Sequence, residues 1–165
     1  MMWEGMVQEA LAIVRAIHDR HHPARRNPYN EIECGDHYAR AMASHGVFIA
    51  ACGYEHHGPR GHLGFAPRLT PGTFRAPFTT AEGWGTFSQT IRDGKQEAQV
   101  LLRFGQLRLR SLALATVSTP SRVEVRLNGK PLEAVPSSEG QRLLVTLRTD
   151  ATLRENDTLS VVLSG

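Results

Sequence analysis

Between Trp3 and Arg20 the apolar residues Val7, Ala10, Leu11, Val14 and Ile17 recur at the i, i+3, i+4, i+7 spacing that lines one face of a helix. The run HHPARRNP then interrupts this pattern with two prolines and a basic cluster. Helical composition returns over Asp36–Cys52 (DHYARAMASHGVFIAAC), with Tyr38, Met42, Val47 or Phe48 and Ala51 near one side. Asp36 is placed to cap the start of that second helix and Gly53 to end it. The following stretch, GYEHHGPRGHLGFAPRLTPGTFRAP, is dense in glycine, proline and histidine and reads as irregular chain with short extended pieces.

Beyond Glu97 the period changes from helical to two. The segments EAQVLLRF, QLRLRSLALATV, RVEVRLNGKPLEA, QRLLVTLR and DTLSVVL are β-rich and separated by turn residues. Asn128-Gly129 between alternating segments predicts a tight hairpin. In QLRLRSLALA the apolar phase slips between Leu109 and Leu112, which predicts a bulge or strand end near Arg110-Ser111. The expectation is an α+β chain ending in five or six antiparallel strands, arranged as a small sandwich or open barrel. Residues 1–95 would form a helical and loop-rich part, and residues 96–165 the β unit.

Composition narrows the function classes. With 165 residues, 41% of them hydrophobic and 21% charged, the chain can bury a core and lacks the signature of disorder. Its net charge of +3 comes from 19 basic against 16 acidic residues, scattered and almost all arginine, with Lys95 and Lys130 the exceptions. Nucleic-acid binding would need clustered cations with interleaved aromatics, so it is not expected. No basic leader precedes an apolar run at MMWEGMVQEALAIV, and no segment reaches a membrane-spanning length, so no transmembrane segment is expected. Cys34 and Cys52 are expected as reduced thiols of a cytoplasmic protein.

The segment Asn27–Arg40, NPYNEIECGDHYAR, carries three carboxylates and hardly any aliphatic side chain, as a solvated loop or the lip of a polar site would. NPYNEIECGDHYARAMASHG, followed by GHLGFAPRLTPGTFRAPFTTAEGWGTFSQ, resembles the C-terminal part of glycoside hydrolase family 116, which includes non-lysosomal glucosylceramidases and microbial β-glucosidases. The two motifs stand in the family's order and cover roughly Pro28 to Gln89. The resemblance implies that residues 1–95 are the C-terminal portion of a helical-barrel catalytic domain, with N-terminal helices from an incomplete α/α barrel. It also implies that Glu31 and Arg40 bind glucose, the carboxylate accepting from adjacent hydroxyls and the guanidinium donating in a fork. Tyr29 and His45 stand where the family commonly shows tryptophan. The family's two catalytic carboxylates lie upstream of the matched region, and nothing in Met1–Asn27 resembles the segments that carry them. The implied function is therefore that of a C-terminal fragment of a retaining β-glucosidase or glucosylceramidase, inactive by itself, acting on a glucoside once a companion polypeptide or a second copy completes the barrel. Self-association or a partner would also cover the apolar face of the first helix.

Other candidate chemistry in the sequence competes with structural readings. Glu31, Glu33 and Asp36 fit capping and salt bridges better than a catalytic pair of their own. Glu82 and Trp84 in AEGWG are candidate pocket-lining residues, because an aromatic beside a carboxylate can hold a sugar; the competing reading has Trp84 and Phe87 anchoring a loop to the core. Asp36 and His37 are further candidate pocket-lining positions. His18 and His22 stand four apart, but Asp19 occupies the place of a zinc protease's glutamate, and the other histidines lack ligand spacing. A Cys34 nucleophile beside His37 lacks a third orienting group. No metal and no cofactor is expected. The rival reading from another class is a non-catalytic carbohydrate-binding or interaction module; a truncated gene product is the third.

Overall fold

The computed structural model describes residues 1–25 and 41–165, and its chain divides into two compact units, Met1–Ala51 and Cys52–Gly165. Glu31, Asp36, His37 and Arg40, with Cys34, lie outside the described residues.

In the first unit, α1 runs over Val7–His18, as the apolar period predicts, and a single 3-10 turn follows at Pro23–Arg25. Arg15 grips Asp19 one turn on at 2.7 Å. Ala10 is the buried residue of α1, whereas Val14 and Ile17 of the expected apolar face are exposed. Helix α2 spans Ala41–Cys52, with Met42 exposed and burial gathered at its C-terminal end in Ala50, Ala51 and Cys52. Gly53 follows with φ +55, the left-handed conformation that ends a helix.

The second unit is almost entirely β. Its strands are β1 (Glu55–His57), β2 (His62–Phe65), β3 (Thr73–Thr79), β4 (Gly83–Arg92), β5 (Lys95–Ala115), β6 (Arg122–Leu127), β7 (Lys130–Pro131), β8 (Ala134–Glu139), β9 (Arg142–Arg154) and β10 (Thr158–Ser164). A 3-10 turn, Gly58–Arg60, joins β1 to β2. The expected α+β class with a remnant of an α/α barrel is therefore corrected. The described chain is a mixed β structure with two helices, which form no barrel fragment, and what reads as a loop-rich middle supplies β1 to β4.

That misreading has a physical cause. In β3 the inward positions Phe74, Ala76 and Phe78 do alternate, but Pro77 between them reads as a strand breaker. Proline is tolerated there because β3 is an edge strand that pairs with β4 alone, and Pro77 points outward. Two other edge strands, β7 and β8, carry Pro131 and Pro136. In β4 the buried series Gly85, Phe87, Gln89 starts with a glycine and ends with an amide, which conceals its period of two.

The organising element is β5. Its first half pairs with β4 and β10, and its second half with β9 and, in parallel, with β2. Straight, a strand would hold Gln96 and Ala115 roughly 60 Å apart. Instead the Gln96 amide donates to the Ala115 carbonyl at 3.0 Å. The strand thus doubles back on itself, placing its two halves in two sheets that share one core. Phe65 from β2 and Phe87 from β4 stack within that core at 3.9 Å between ring centres, and Val100, Leu102, Leu109, Leu114, Val145, Leu153, Leu159 and Val161 pack around them. The buried amides are satisfied: Gln96 also donates to Gln89, and Gln89 donates to the carbonyl of Pro71.

The doubling back occurs at Gly105, whose φ is +77. A Cβ there would stand 2.1 Å from the carbonyl oxygen of Glu82, so neither the conformation nor the space admits a side chain. The predicted features nearby and beyond are present. The β5–β9 register shifts between Leu109 and Ser111, and Asn128 and Gly129 take φ of 51 and 79 between β6 and β7. Asp157 accepts from the Asn128 amide and the Arg154 N–H, tying the β6–β7 and β9–β10 turns together.

Gly105→Ala should lower stability by about 3 kcal/mol or more, since strain and overlap with a backbone oxygen add. Gly94→Ala, at φ +73 but with open space around it, should cost about 1 kcal/mol. Urea unfolding followed by circular dichroism measures both, and equal losses would show that the corner tolerates a side chain.

Candidate functional site

Two surfaces of the β unit carry chemistry. The first is a polar groove over β1, the Gly58–Arg60 turn, β2, the second half of β5 and β9. Two adjoining hollows of about 440 Å³ each share Arg60, Ser111 and Leu144. His62 Nδ1 and Ser111 Oγ are hydrogen-bonded at 2.9 Å, while His62 Nε2 lies 3.8 Å from Glu55 Oε2. Arg142 Nη1 donates to Glu55 Oε1 at 2.7 Å. His57 Nδ1 accepts from the Arg60 N–H and so caps the 3-10 turn. Arg108 clamps that turn from below, donating to the Pro59 carbonyl at 2.7 Å and to Asp150 at 2.7 Å. Burial, with smaller contributions from His57 and His62, lowers the pKa of His56, so its ring favours the neutral form.

Ser111, His62 and Glu55 are the residue types of a nucleophilic relay, but their geometry does not complete one. The His62–Glu55 separation exceeds a hydrogen bond, and Glu55 is already held by Arg142. More decisively, the backbone N–H groups of Arg110 and Ser111, which could stabilise an oxyanion, both donate to the Gly61 carbonyl, at 2.7 and 3.1 Å. The network instead fastens β1 and β2 to β5 and β9. It is invisible in sequence because its members lie 49 and 87 positions apart; only the histidine-rich run HHGPRGH hints at it.

The second surface contains the sequence-predicted Glu82 and Trp84. Glu82 sits in the β3–β4 turn, where the Thr80 N–H and hydroxyl both donate to the Gly83 carbonyl. Its carboxylate accepts from the Gln106 amide at 2.9 Å, and its carbonyl accepts from the Gln106 N–H at 3.1 Å. Trp84 does not anchor the loop to the core: it is 49% exposed, whereas Phe87 is fully buried. Opposite Trp84 in register is Phe104, 58% exposed, which the sequence reading did not single out.

Elsewhere, His21 Nδ1–H donates to the Ile17 carbonyl, and His22 Nδ1 accepts from the Ala24 N–H. Among the described residues no three His, Cys, Asp or Glu side chains are grouped to hold a metal ion, and no helix is long and apolar enough to cross a membrane. Cys52 is a free thiol, and burial pushes its pKa up to about 11.

No protein-family model matches the chain, and no curated protein does. Among solved structures it is similar to a GH127 β-L-arabinofuranosidase from Geobacillus stearothermophilus T6, with 16% identity, a TM-score of 0.42, and coverage of 75% of this chain and 19% of that one. It is also similar to a protein described as a glycoside hydrolase, with 14% identity, a TM-score of 0.40, and coverage of 62% and 16%. An α-L-rhamnosidase from Dictyoglomus thermophilum shows 7% identity, a TM-score of 0.45, and coverage of 79% and 14%. The chain spans less than a fifth of the length of these proteins.

With its oxyanion donors committed, Ser111 should not react with a fluorophosphonate probe faster than the Ser111→Ala variant does, by intact-protein mass; selective labelling at Ser111 would show the relay to be competent. In a Cys34→Ser background, Cys52 should react with iodoacetamide at pH 8 roughly a hundredfold more slowly than an ordinary thiol, because so little thiolate is present. The rate should recover in denaturant.

Proposed function

We propose that this chain is part of a retaining β-glucosidase of the glycoside hydrolase family 116 type, contributing glucose-binding residues rather than the bond-breaking carboxylates. One observation carries the reading: the pair of long motifs from Pro28 to Gln89, in the family's order. Glu31 accepts from two adjacent hydroxyls of a glucosyl unit, and Arg40 donates to it in a planar fork, fixing the ring by direction-dependent hydrogen bonds. Retention needs two carboxyl groups about 5–5.5 Å apart, one nucleophile and one acid/base. In the polar groove Glu55 is tied to Arg142 and faces His62, an arrangement for holding strands and not for donating a proton to a leaving group. The cleavage pair is accordingly assigned to polypeptide other than these residues, and the substrate is a β-glucoside such as glucosylceramide.

Titration of the purified chain with methyl β-D-glucoside by ligand-observed NMR should give saturable binding. Glu31→Gln and Arg40→Lys should each weaken it at least tenfold, and the chain alone should not release nitrophenol from p-nitrophenyl β-D-glucoside. Unchanged binding in both variants overturns the assignment. Turnover that disappears on mutation of a carboxylate within the chain would place the cleavage pair here instead.

A further inference from the structure

We infer that the outer face of β3, β4 and β5 is a second saccharide-binding surface, on which Trp84 and Phe104 stack against the ring faces of a neutral oligosaccharide while Glu82 and Gln106 take its hydroxyls. This goes beyond the glucose contacts of Glu31 and Arg40 and does not depend on them.

The exposure of the two rings is built by the backbone. Along β5, Val100 and Leu102 point into the core, and strict alternation would send Phe104 after them. The β4–β5 register breaks between Trp84 and Gly85: Gly85 is opposite Leu102, but Trp84 is opposite Phe104, so Arg103 is an extra residue in β5. That bulge turns Phe104 out beside Trp84. On the other side Trp84 is in register with the exposed Thr79 of β3. The row Thr79, Trp84, Phe104 crosses three strands, roughly 10 Å at ordinary strand spacing, which is room for about two sugar rings.

The polar groups sit next to the aromatics at the corner. Glu82 lies two residues before Trp84, Gln106 lies two after Phe104 across the Gly105 reversal, and these two are bonded to each other at 2.9 Å. That bond uses Glu82 Oε2 and Gln106 Nε2, leaving Glu82 Oε1 and the Gln106 amide oxygen as acceptors without a partner among the described residues. Beyond the pair, and lined by neither ring, opens a cleft of about 230 Å³ bounded by Thr80, Glu82, Gln106, His56 and Arg108. Flat apolar rings flanked by fixed acceptors match a pyranose, which has a C–H face and an equatorial rim of hydroxyl donors.

The sequence offers its own reporter. It has two tryptophans, so Trp3→Phe leaves Trp84 as the single source of indole fluorescence. In that background cellohexaose, laminarihexaose or mannohexaose should quench or shift the emission saturably. Phe104→Ala should weaken the binding at least tenfold with an unchanged circular dichroism spectrum, while Phe104→Tyr should retain it. Trp84→Ala, read by calorimetry in the wild-type background, should lose binding to the same extent. Glu31→Gln and Arg40→Lys should leave the Trp84 signal unaltered, which separates this surface from the glucose contacts proposed above. The inference is overturned if none of the three hexasaccharides gives a saturable response, if binding survives loss of both rings, or if Trp84→Ala and Phe104→Ala instead change the sedimentation coefficient, which would make the rings an interface between copies of the chain.

Discussion

The β unit depends on a strand that is forced to turn back on itself. Lys95–Ala115 is too long for either sheet, and the two sheets share one core only because the chain reverses at Gly105 and brings Gln96 back to Ala115. The reversal is held from outside by Glu82, whose carbonyl occupies the space a side chain would need and whose carboxylate grips Gln106. It is held from inside by Gln89 and Gln96, whose amides would be costly to bury unpaired. The corner is thus secured on both sides, next to the bulge that turns Phe104 outward. The orientation of Phe104 is therefore a consequence of how the two sheets are joined.

The same corner explains what could be read from the sequence. Alternation after Glu97, the Asn128-Gly129 turn and the slip near Arg110-Ser111 rest on local patterns, and each is present as expected. What could not be read is how those segments connect. EAQVLLRF and QLRLRSLALA look like two strands divided by Gly105, yet they form one, because a left-handed glycine can continue a ladder around a bend as well as end it. The region before Arg92 was misjudged because proline and glycine signal loops only where backbone hydrogen bonds are needed on both sides; at an edge, Pro77 costs nothing. Likewise Ser137 and Ser138 gave β8 no apolar signal, since that strand is exposed along most of its length.

Of the candidate site, Glu82 and Trp84 were legible as a carboxylate beside an aromatic, but the sequence left Trp84 open between a pocket and the core. Its outward direction follows the alternation of β4, in which Gly85, Phe87 and Gln89 face the core. Phe104 was missed because its outward turn depends on the extra residue Arg103 in β5, which no local pattern reveals. The relay-like group of Glu55, His62 and Ser111 shows the converse: suggestive residue types assembled by the fold into a fastening, with the neighbouring amides already occupied.

The prolines of β3, β7 and β8 have an effect beyond tolerating their own strands. Each removes an amide donor from a margin of the sheet where another chain would otherwise zip on. Growth of this unit by strand-to-strand addition is thereby discouraged at three of its boundaries. At those three margins a neighbouring domain or subunit would meet the unit through loops or across a pleated face, whereas β1, an edge strand without proline, keeps its amide donors.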